Sequence, residues 1–186
     1  MTKLDIQHTN QFTKLVQLKS RNYVVISDND ELIFIDNQLS KTHPVSSSGR
    51  IVCHLAIKDN LLALGHKQTI LILECDKNYI KTMLKGYNEI YLSMAYLPDK
   101  DLLVSSTNKL QIRVWDVKKA RNFKLYTEGV QSGYNILKHS DGKYLGVDLL
   151  HRKVQTFELP EGEGQKVNIL HTVEGGMKSV QKVYTF

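Results

Sequence analysis

The stretch Asn88–Val117, NEIYLSMAYLPDKDLLVSSTNKLQIRVWDV, predicts three short β-strands joined by two tight turns. Isoleucine, valine, leucine and tyrosine fill its apolar runs, and strands favour β-branched and aromatic residues. Pro98 begins the first turn, because the proline ring presets the φ angle of a type I corner. The stretch closes on Trp115 and Asp116. It therefore predicts one antiparallel β unit with a recognisable end.

The same pattern returns before and after this stretch at a nearly constant spacing. The third strands close on an acid that follows a large apolar residue, at Asp36, Glu74, Asp116 and Glu158, with spacings of 38, 42 and 42. The second strands align on Ser27, Gly65, Ser106 and Asp148, with spacings of 38, 41 and 42. A period near 40 with four strands per unit is typical of β-propeller blades. The sequence therefore predicts an all-β fold, a partial β-propeller of about four four-stranded antiparallel blades plus one extra strand.

The strand predictions divide the chain into an N-terminal segment and a run of blades. Residues 1–10 form the segment, in which the alternating Leu4 and Ile6 suggest a short edge strand, and residues 11–186 form the blades. Asn37–Arg50 is turn-rich, and its Pro44 excludes a central strand there. The predicted strands are Phe12–Lys19, Asn22–Ser27, Glu31–Asp36, Ile51–Ile57, Leu61–Gly65, Thr69–Cys75, Tyr79–Leu84, Glu89–Tyr96, Leu102–Ser106, Leu110–Val117, Phe123–Thr127, Tyr134–His139, Lys143–Leu149, Lys153–Leu159, Val167–Val173 and a further first strand in Met177–Phe186.

The third and fourth units resemble repeats of the WD-repeat (WD40) β-propeller family. The third carries Gly86, Pro98, LLVSS and IRVWDV, and the fourth carries HSDGKYLGVD. The likeness extends over Phe12–Phe186 and is weaker outside these two units. Among the units only the third has Trp-Asp, and Gly86-Tyr87 stands where the family has Gly-His. The resemblance therefore implies a divergent or incomplete member, in which the family's hydrogen-bonded His–Ser/Thr–Trp arrangement is not expected.

Four units and one further strand make just over half of the roughly seven blades usual in this family. A propeller protects its sheets by closing a ring, so an open set of blades exposes two apolar blade faces. Three explanations stay open: a truncated or split gene product, a half-ring completed by a second chain, and a small irregular propeller. The alternating end VQKVYTF favours the first two. We therefore expect the purified chain to be oligomeric or prone to aggregation.

The composition is that of an ordinary soluble globular protein. Charged residues make up 24% and apolar residues 41% of the chain, and no apolar run approaches the roughly 20 residues that span a bilayer. No secretory signal is visible at the N-terminus. Cys53 and Cys75 lie 22 residues apart, outside any CxxC motif, as two buried thiols in a reducing compartment would. We therefore expect a cytoplasmic or nuclear protein without membrane contact.

The sequence carries no recognisable catalytic or cofactor motif. Ser105 and Ser106 lie inside a strand rather than in a nucleophile elbow, and Gly162–Gly164 lacks the strand-to-helix context of a phosphate loop. The histidines never reach zinc-ligand spacing with each other or with cysteine. The recurring acids follow from the repeat itself and are interpreted as structural caps on turns. We therefore expect no enzymatic activity, no metal and no cofactor.

One run of the sequence is a candidate contact surface. Six cations fall within 16 residues in which Asp116 is the only acid. On the edge of the third blade they would form a basic rim beside Trp115 and Phe123, able to grip phosphates. The loop Lys118–Arg121 also has the plainer interpretation of a solvated surface loop. The residues of this candidate rim are Lys109, Arg113, Lys118, Lys119, Arg121 and Lys124.

The charge and the resemblance leave three classes of function. The net charge of +6 is spread along the chain, and it suits RNA or an acidic partner as well as a well-solvated surface. The resemblance implies a non-enzymatic scaffold that binds protein partners as a subunit of a larger complex. The alternative is an RNA-contacting non-catalytic subunit, like the WD-repeat partner of tRNA methyltransferases. A propeller-type enzyme such as a lactonase comes third, because the sequence shows no central cluster of Asp, Glu or His for a metal.

Overall fold

The structure, a computed structural model, consists of β-strands joined by turns. It describes residues 12–18, 22–35, 41–42, 50–58, 60–75, 77, 79–129, 135–138, 143–148, 153–161, 164 and 166–174. Within these ranges no helix has the length and hydropathy needed to cross a bilayer. The strands are β1 (Phe12–Gln17), β2 (Tyr23–Ser27), β3 (Leu32–Ile35), β4 (Lys41–Thr42), β5 (Cys53–Lys58), β6 (Leu61–Gly65), β7 (Lys67–Glu74), β8 (Tyr79–Leu97), β9 (Leu102–Thr107), β10 (Ile112–Asp116), β11 (Arg121–Tyr126), β12 (Asn135–Lys138), β13 (Tyr144–Asp148), β14 (Lys153–Glu158) and β15 (Asn168–Glu174).

The strands pair in antiparallel ladders that follow chain order. β1–β4 form one four-stranded sheet, β12–β15 form another, and β5–β11 form one seven-stranded sheet. The seven-stranded sheet holds two blades, because β8 pairs first with β7 and then with β9. We name the units blade I (β1–β4), blade II (β5–β7 with the first part of β8), blade III (the second part of β8 with β9–β11) and blade IV (β12–β15). The predicted partial propeller of four four-stranded antiparallel blades is confirmed, whereas the strands suggested around Leu4 and in Met177–Phe186 lie outside the described residues.

β8 runs without a break through a segment where the sequence predicts two strands. The sequence pattern ends one strand at Leu84 and begins the next at Glu89. In the structure Thr69 pairs with Lys85 and Lys67 pairs with Ile90, so the residues between Lys85 and Ile90 bulge past one residue of β7. The bulge keeps the strand continuous while its partner changes. Blades II and III are therefore joined by extended backbone rather than by a loop.

Blade I has a fourth strand that the sequence pattern does not predict. Lys41 pairs with Phe34 and Thr42 with Ile33, inside the stretch predicted to be turn-rich. The strand lies at the sheet edge, which agrees with the exclusion of a central strand there. A strand of two residues is too short for an alternating pattern to appear, and this explains the missed prediction.

Three apolar clusters lie between successive blades and form the core. They join blade I to blade II, blade II to blade III, and blade III to blade IV. Blades II and III are therefore buried on both faces, as stacked propeller blades are. Fully buried members of the three clusters are Ile26 and Leu64, Ile72 and Trp115, and Val104 and Phe157.

The first strands of neighbouring blades contact one another, so they converge on the propeller axis. β1 contacts β5, β5 contacts β8, and β8 contacts β12. The antiparallel topology gives the blades two ends. Turns between second and third strands, such as the turn at His66 between β6 and β7, lie at the end of the blades that we name after the nearby Gln68, the Gln68 end. Turns after first and third strands, such as the Pro98–Asp101 turn, lie at the Pro98 end.

Candidate interaction surfaces

Trp115 is a buried structural residue of blade III. Its indole Nε1 donates a hydrogen bond of 2.9 Å to Ser105 Oγ, and its ring meets the Tyr91 ring edge-on, with centroids 5.8 Å apart and planes at 74°. Trp115 is 1% exposed and Ser105 is 0% exposed. The sequence led us to expect that the His–Ser/Thr–Trp arrangement is missing, but the structure retains its serine–tryptophan bond. Ser105 thus holds the tryptophan in place, in agreement with its position inside a strand.

A buried ion pair lies beside this tryptophan. Arg113 Nε donates to Glu89 Oε1, and the Tyr91 hydroxyl donates to the same oxygen at 3.2 Å. The Arg113 and Glu89 side chains are 4% and 1% exposed. Burial, and then the negative charge of Glu89, raise the pKa of the Tyr91 phenol well above its ordinary value. The three side chains therefore form one polar group inside the blade.

The Gly86-Tyr87 pair, which stands where the family has Gly-His, is built around Arg113. A Cβ at Gly86 would overlap the Tyr91 hydroxyl and lie 3.2 Å from Glu89 Oε1, so the glycine leaves the ion pair its space. The Arg113 guanidinium carbon lies 5.1 Å from the centre of the Tyr87 ring, within the range of a cation–π contact. Gly86 and Tyr87 therefore accommodate the buried Arg113–Glu89 pair, at the position where the family has a hydrogen-bonded histidine.

The structure separates the residues of the candidate basic rim. Arg113 is buried against Glu89, so its charge does not reach the surface. Lys109 lies in the turn before β10, at the Gln68 end. Lys118 and Lys119 lie in the turn after β10, at the Pro98 end. The six cations therefore do not lie along one edge, although five of them still reach solvent at least in part.

Lys118, Lys119 and Arg121 form an exposed basic group at the Pro98 end. Asp116 caps their turn, because its Oδ1 accepts a hydrogen bond of 2.8 Å from the Lys119 backbone N–H. Its Oδ2 lies 3.8 Å from Lys119 Nζ, an ion pair at the surface. The structural cap predicted for the recurring acids is confirmed at Asp116.

A cleft of about 710 Å³ opens between blades III and IV at the Pro98 end, and we call it the blade III–IV cleft. Aromatic side chains from both blades line it, among them Phe123, Tyr126 and Tyr144. Phe123 is 59% exposed, so its ring offers apolar surface at the cleft. Its neighbour Lys124, one of the predicted rim residues, also lines the cleft. The cleft therefore combines apolar surface with charge.

A short polar network fixes one wall of this cleft. Lys124 Nζ donates to the Pro160 carbonyl at 2.5 Å, and the Tyr126 hydroxyl donates to the same oxygen at 2.6 Å. Lys124 Nζ also lies 4.8 Å from the centre of the Tyr126 ring. Burial, and then the charge of Glu161, raise the pKa of Tyr126 to about 12. Across the cleft Lys100 pairs with Glu161, and that hydrogen bond lowers the pKa of the Glu161 carboxyl.

Sequence reasoning identifies part of this surface. Lys124 and Phe123 stand in the predicted rim and beside it, whereas Tyr126, Pro160 and Glu161 are missed. The one signal was Pro160, which directly follows the predicted strand Lys153–Leu159 and which the fold brings against Lys124 and Tyr126 of blade III. No local sequence pattern around Pro160 or in β11 predicts that these two segments contact each other.

The two cysteines are buried free thiols, as predicted. Burial raises the pKa of the Cys53 thiol to about 12, and its Sγ donates a bond of 3.4 Å to the Tyr91 carbonyl. Across the part of the chain that the structure describes, no three His, Cys, Asp or Glu side chains come close enough to hold a metal ion.

Comparison with known proteins identifies the fold. No protein-family model and no curated protein matches the chain. A structure of U3-55K matches with a TM-score of 0.73 and 16% sequence identity, over 94% of this chain and 55% of that one. A crystal structure of the RRP9 WD40 repeats matches with a TM-score of 0.72 and 16% identity, over 91% of this chain and 55% of that one. The chain thus spans about half the length of these structures, and its fold is that of a WD40-repeat β-propeller.

Proposed function

We propose that the protein is a non-enzymatic scaffold that binds a protein partner through the blade III–IV cleft, as a subunit of a larger complex. The observation that carries this proposal is the exposed ring of Phe123 in a cleft of about 710 Å³. In protein interfaces, the few aromatic and arginine side chains that carry most of the binding energy fill pockets on the partner. The fold adds support by analogy alone, because one fold can serve many functions. A nuclear or cytoplasmic location belongs to the same proposal.

The chemistry of the cleft suits a protein better than a small anion. Protein interfaces have an aromatic-rich core surrounded by polar residues. Phe123 supplies the exposed aromatic surface, while Lys124 and the Lys100–Glu161 pair supply the polar surroundings. A partner segment with a large apolar side chain beside a carboxylate would pack on Phe123 and place its charge near Lys124.

Site-specific photo-crosslinking tests this proposal. A photoreactive phenylalanine analogue replaces Phe123 in one variant and Leu15 in a control variant. Leu15 is a fair control because it is 65% exposed and lies on blade I, away from the cleft. We expect that irradiation of cells that naturally express the protein crosslinks one defined protein to position 123 and not to position 15. Equal products at both positions, or none at 123, would contradict the proposal.

The second candidate function is contact with RNA through Lys118, Lys119 and Arg121. The observation that favours it is the exposure of all three side chains within one turn and the start of β11. Cations that bind phosphates release counterions, so the affinity should fall steeply as salt rises. Replacement of Lys118 and Lys119 by glutamate should then remove salt-dependent RNA binding. Unchanged binding by this variant would exclude the turn as the RNA contact.

A further inference from the structure

We propose that a separate basic cleft on the propeller axis, at the Gln68 end, binds the phosphate backbone of single-stranded RNA. This cleft has a volume of about 670 Å³ and lies where the first strands of blades I, II and III converge. Lys14 comes from β1, Arg50 lies shortly before β5, and Lys67 begins β7. The site does not depend on the proposed protein-binding function, because the blade III–IV cleft and the Lys118 turn lie at the other end of the blades.

Lys14 is held across the boundary between blades I and II. Its Nζ donates a hydrogen bond of 3.3 Å to the Val52 carbonyl, which lies 38 residues away in sequence. An ammonium group has three N–H donors, so two remain for a ligand. The positive charge of Lys14 also acts on His54 of β5, whose pKa is lowered first by burial and then by this charge. The ammonium group is therefore positioned before any ligand arrives.

The cations of the basic cleft keep their charge for a ligand. Within the described ranges, none of Lys14, Arg50 and Lys67 forms an ion pair, and no acid lines the cleft. Asp30 lies nearby, but its Oδ1 accepts a hydrogen bond of 2.9 Å from the Ile51 backbone N–H. By contrast, carboxylate partners are present for Lys58, Lys77, Lys81, Lys100, Arg113 and Lys119.

The lining favours nucleic acid over an acidic protein segment. The apolar lining residues Ile51, Val52 and Ile90 are buried or half-buried, so they offer little surface to an apolar anchor of a protein partner. Interfaces with nucleic acid are more polar and far more positively charged than those between proteins. Cations without carboxylate partners around a polar cleft are therefore suited to bind the phosphates of a nucleic-acid backbone.

An exposed aromatic residue adjoins a hydrogen bond of the basic cleft in sequence. Gln68, which lines the cleft, donates a hydrogen bond of 3.0 Å from Nε2 to Asn88 Oδ1. Tyr87 precedes Asn88 and is 73% exposed. Unpaired bases stack on such rings, and amide side chains bond to base edges, whereas duplex bases are not available for stacking. An exposed ring one residue from this hydrogen bond therefore favours a single strand over a duplex.

The test is the fluorescence anisotropy of a labelled twelve-nucleotide uridine RNA, titrated with the full chain at several salt concentrations. The variant Arg50→Glu/Lys67→Glu alters two exposed residues of the basic cleft. The variant Lys81→Glu/Lys166→Glu is its matched control, because both lysines are exposed and lie outside the two clefts and the Lys118 turn. Each double variant lowers the formal net charge by four, from +6 to +2. Lys14→Gln and Tyr87→Leu complete the set, and circular dichroism with thermal unfolding verifies that each variant folds.

We expect the cleft variant to weaken RNA binding by on the order of tenfold or more, and the control by about twofold at most. Each phosphate contact on a single strand contributes about 0.7 to the slope of log affinity against log salt, so the cleft variant should flatten the slope by about 1.4. Lys14→Gln and Tyr87→Leu should each weaken binding as well. The proposal is overturned if the wild type binds no RNA, if the control loses binding equally, or if a polyglutamate peptide binds better than the RNA.

Discussion

Arg113 and Glu89 form a buried ion pair that connects β10 to β8 past the intervening strand β9. Arg113 Nη1 and Glu89 Oε2 are both buried and have no hydrogen-bond partner among the described residues. Burying two charges carries a desolvation penalty, which the attraction between the two side chains offsets. The pair therefore contributes to the stability of blade III, although the sequence had suggested that Arg113 belongs to a surface rim.

Removal of one member of this pair should destabilise the protein strongly. Arg113→Met or Glu89→Leu alone leaves an uncompensated buried charge, at a cost of about 3–5 kcal/mol in the free energy of unfolding. The double variant should lose far less than the two single losses added together. Urea denaturation of the four proteins measures this as a double-mutant cycle. Additive losses would show that the two side chains do not depend on each other.

The hydrogen bond from Trp115 to Ser105 should contribute measurably to stability. Ser105→Ala leaves the indole N–H buried without its partner, and we expect a loss of about 1–3 kcal/mol. The matched control is Lys109→Ala in the neighbouring turn, whose side chain is exposed and should change stability by less than about 0.5 kcal/mol. Thermal unfolding compares the two. Equal midpoints would mean that the bond does not hold the tryptophan.

A side chain at Gly65 should destabilise the protein while Cys53 is present. A Cβ at Gly65 would overlap Cys53 Sγ and lie 3.3 Å from Tyr91 Cβ. Gly65→Ala should therefore cost about 1–3 kcal/mol through overpacking. In a Cys53→Ala background the sulfur is gone, and the same substitution should cost clearly less. A penalty that is the same in both backgrounds, measured by urea denaturation, would show that the overlap is not its cause.

Stability should fall as the solution becomes alkaline. Burial raises the pKa of Cys53 from 9.0 to about 12, and the pKa values of Tyr96 and Tyr126 from 10.0 to about 12. The fold thus favours the neutral forms, and their contribution is complete below about pH 9 and is lost as the pH rises towards 12. The urea midpoint should be lower at pH 10.5 than at pH 8, and less so in Cys53→Ala. A midpoint that rises with pH would contradict this assignment.

The architecture could be predicted from sequence because it repeats. The acids after each third strand and the ends of the second strands give one period, and Trp115 marks the best-preserved unit. Repetition makes weak local signals add, so most strands lie where the pattern places them. The strand Lys41–Thr42 was missed because two residues are too few to show alternation. The pattern also placed a break between Leu84 and Glu89, where β8 is continuous.

The candidate sites were harder to predict, for a physical reason. Arg113 was assigned to the surface, but blade III is covered on both faces, so β10 is buried at four consecutive positions from Ile112 to Trp115. Its partner Glu89 lies 24 residues earlier, beyond the reach of any local pattern. The basic cleft joins residues of two blades in the same way. Such contacts depend on how the blades stack, and the sequence of a single strand does not predict this stacking.

The most direct test of the proposed scaffold is the affinity of the crosslinked partner for three purified proteins: the wild type, Phe123→Ala and the control Leu15→Ala. Both substituted side chains are exposed, at 59% and 65%, so neither change should unfold the chain. Loss of a central aromatic anchor costs about 2 kcal/mol or more, so Phe123→Ala should weaken binding at least about tenfold, with Leu15→Ala close to wild type. Equal dissociation constants for all three proteins would contradict the account.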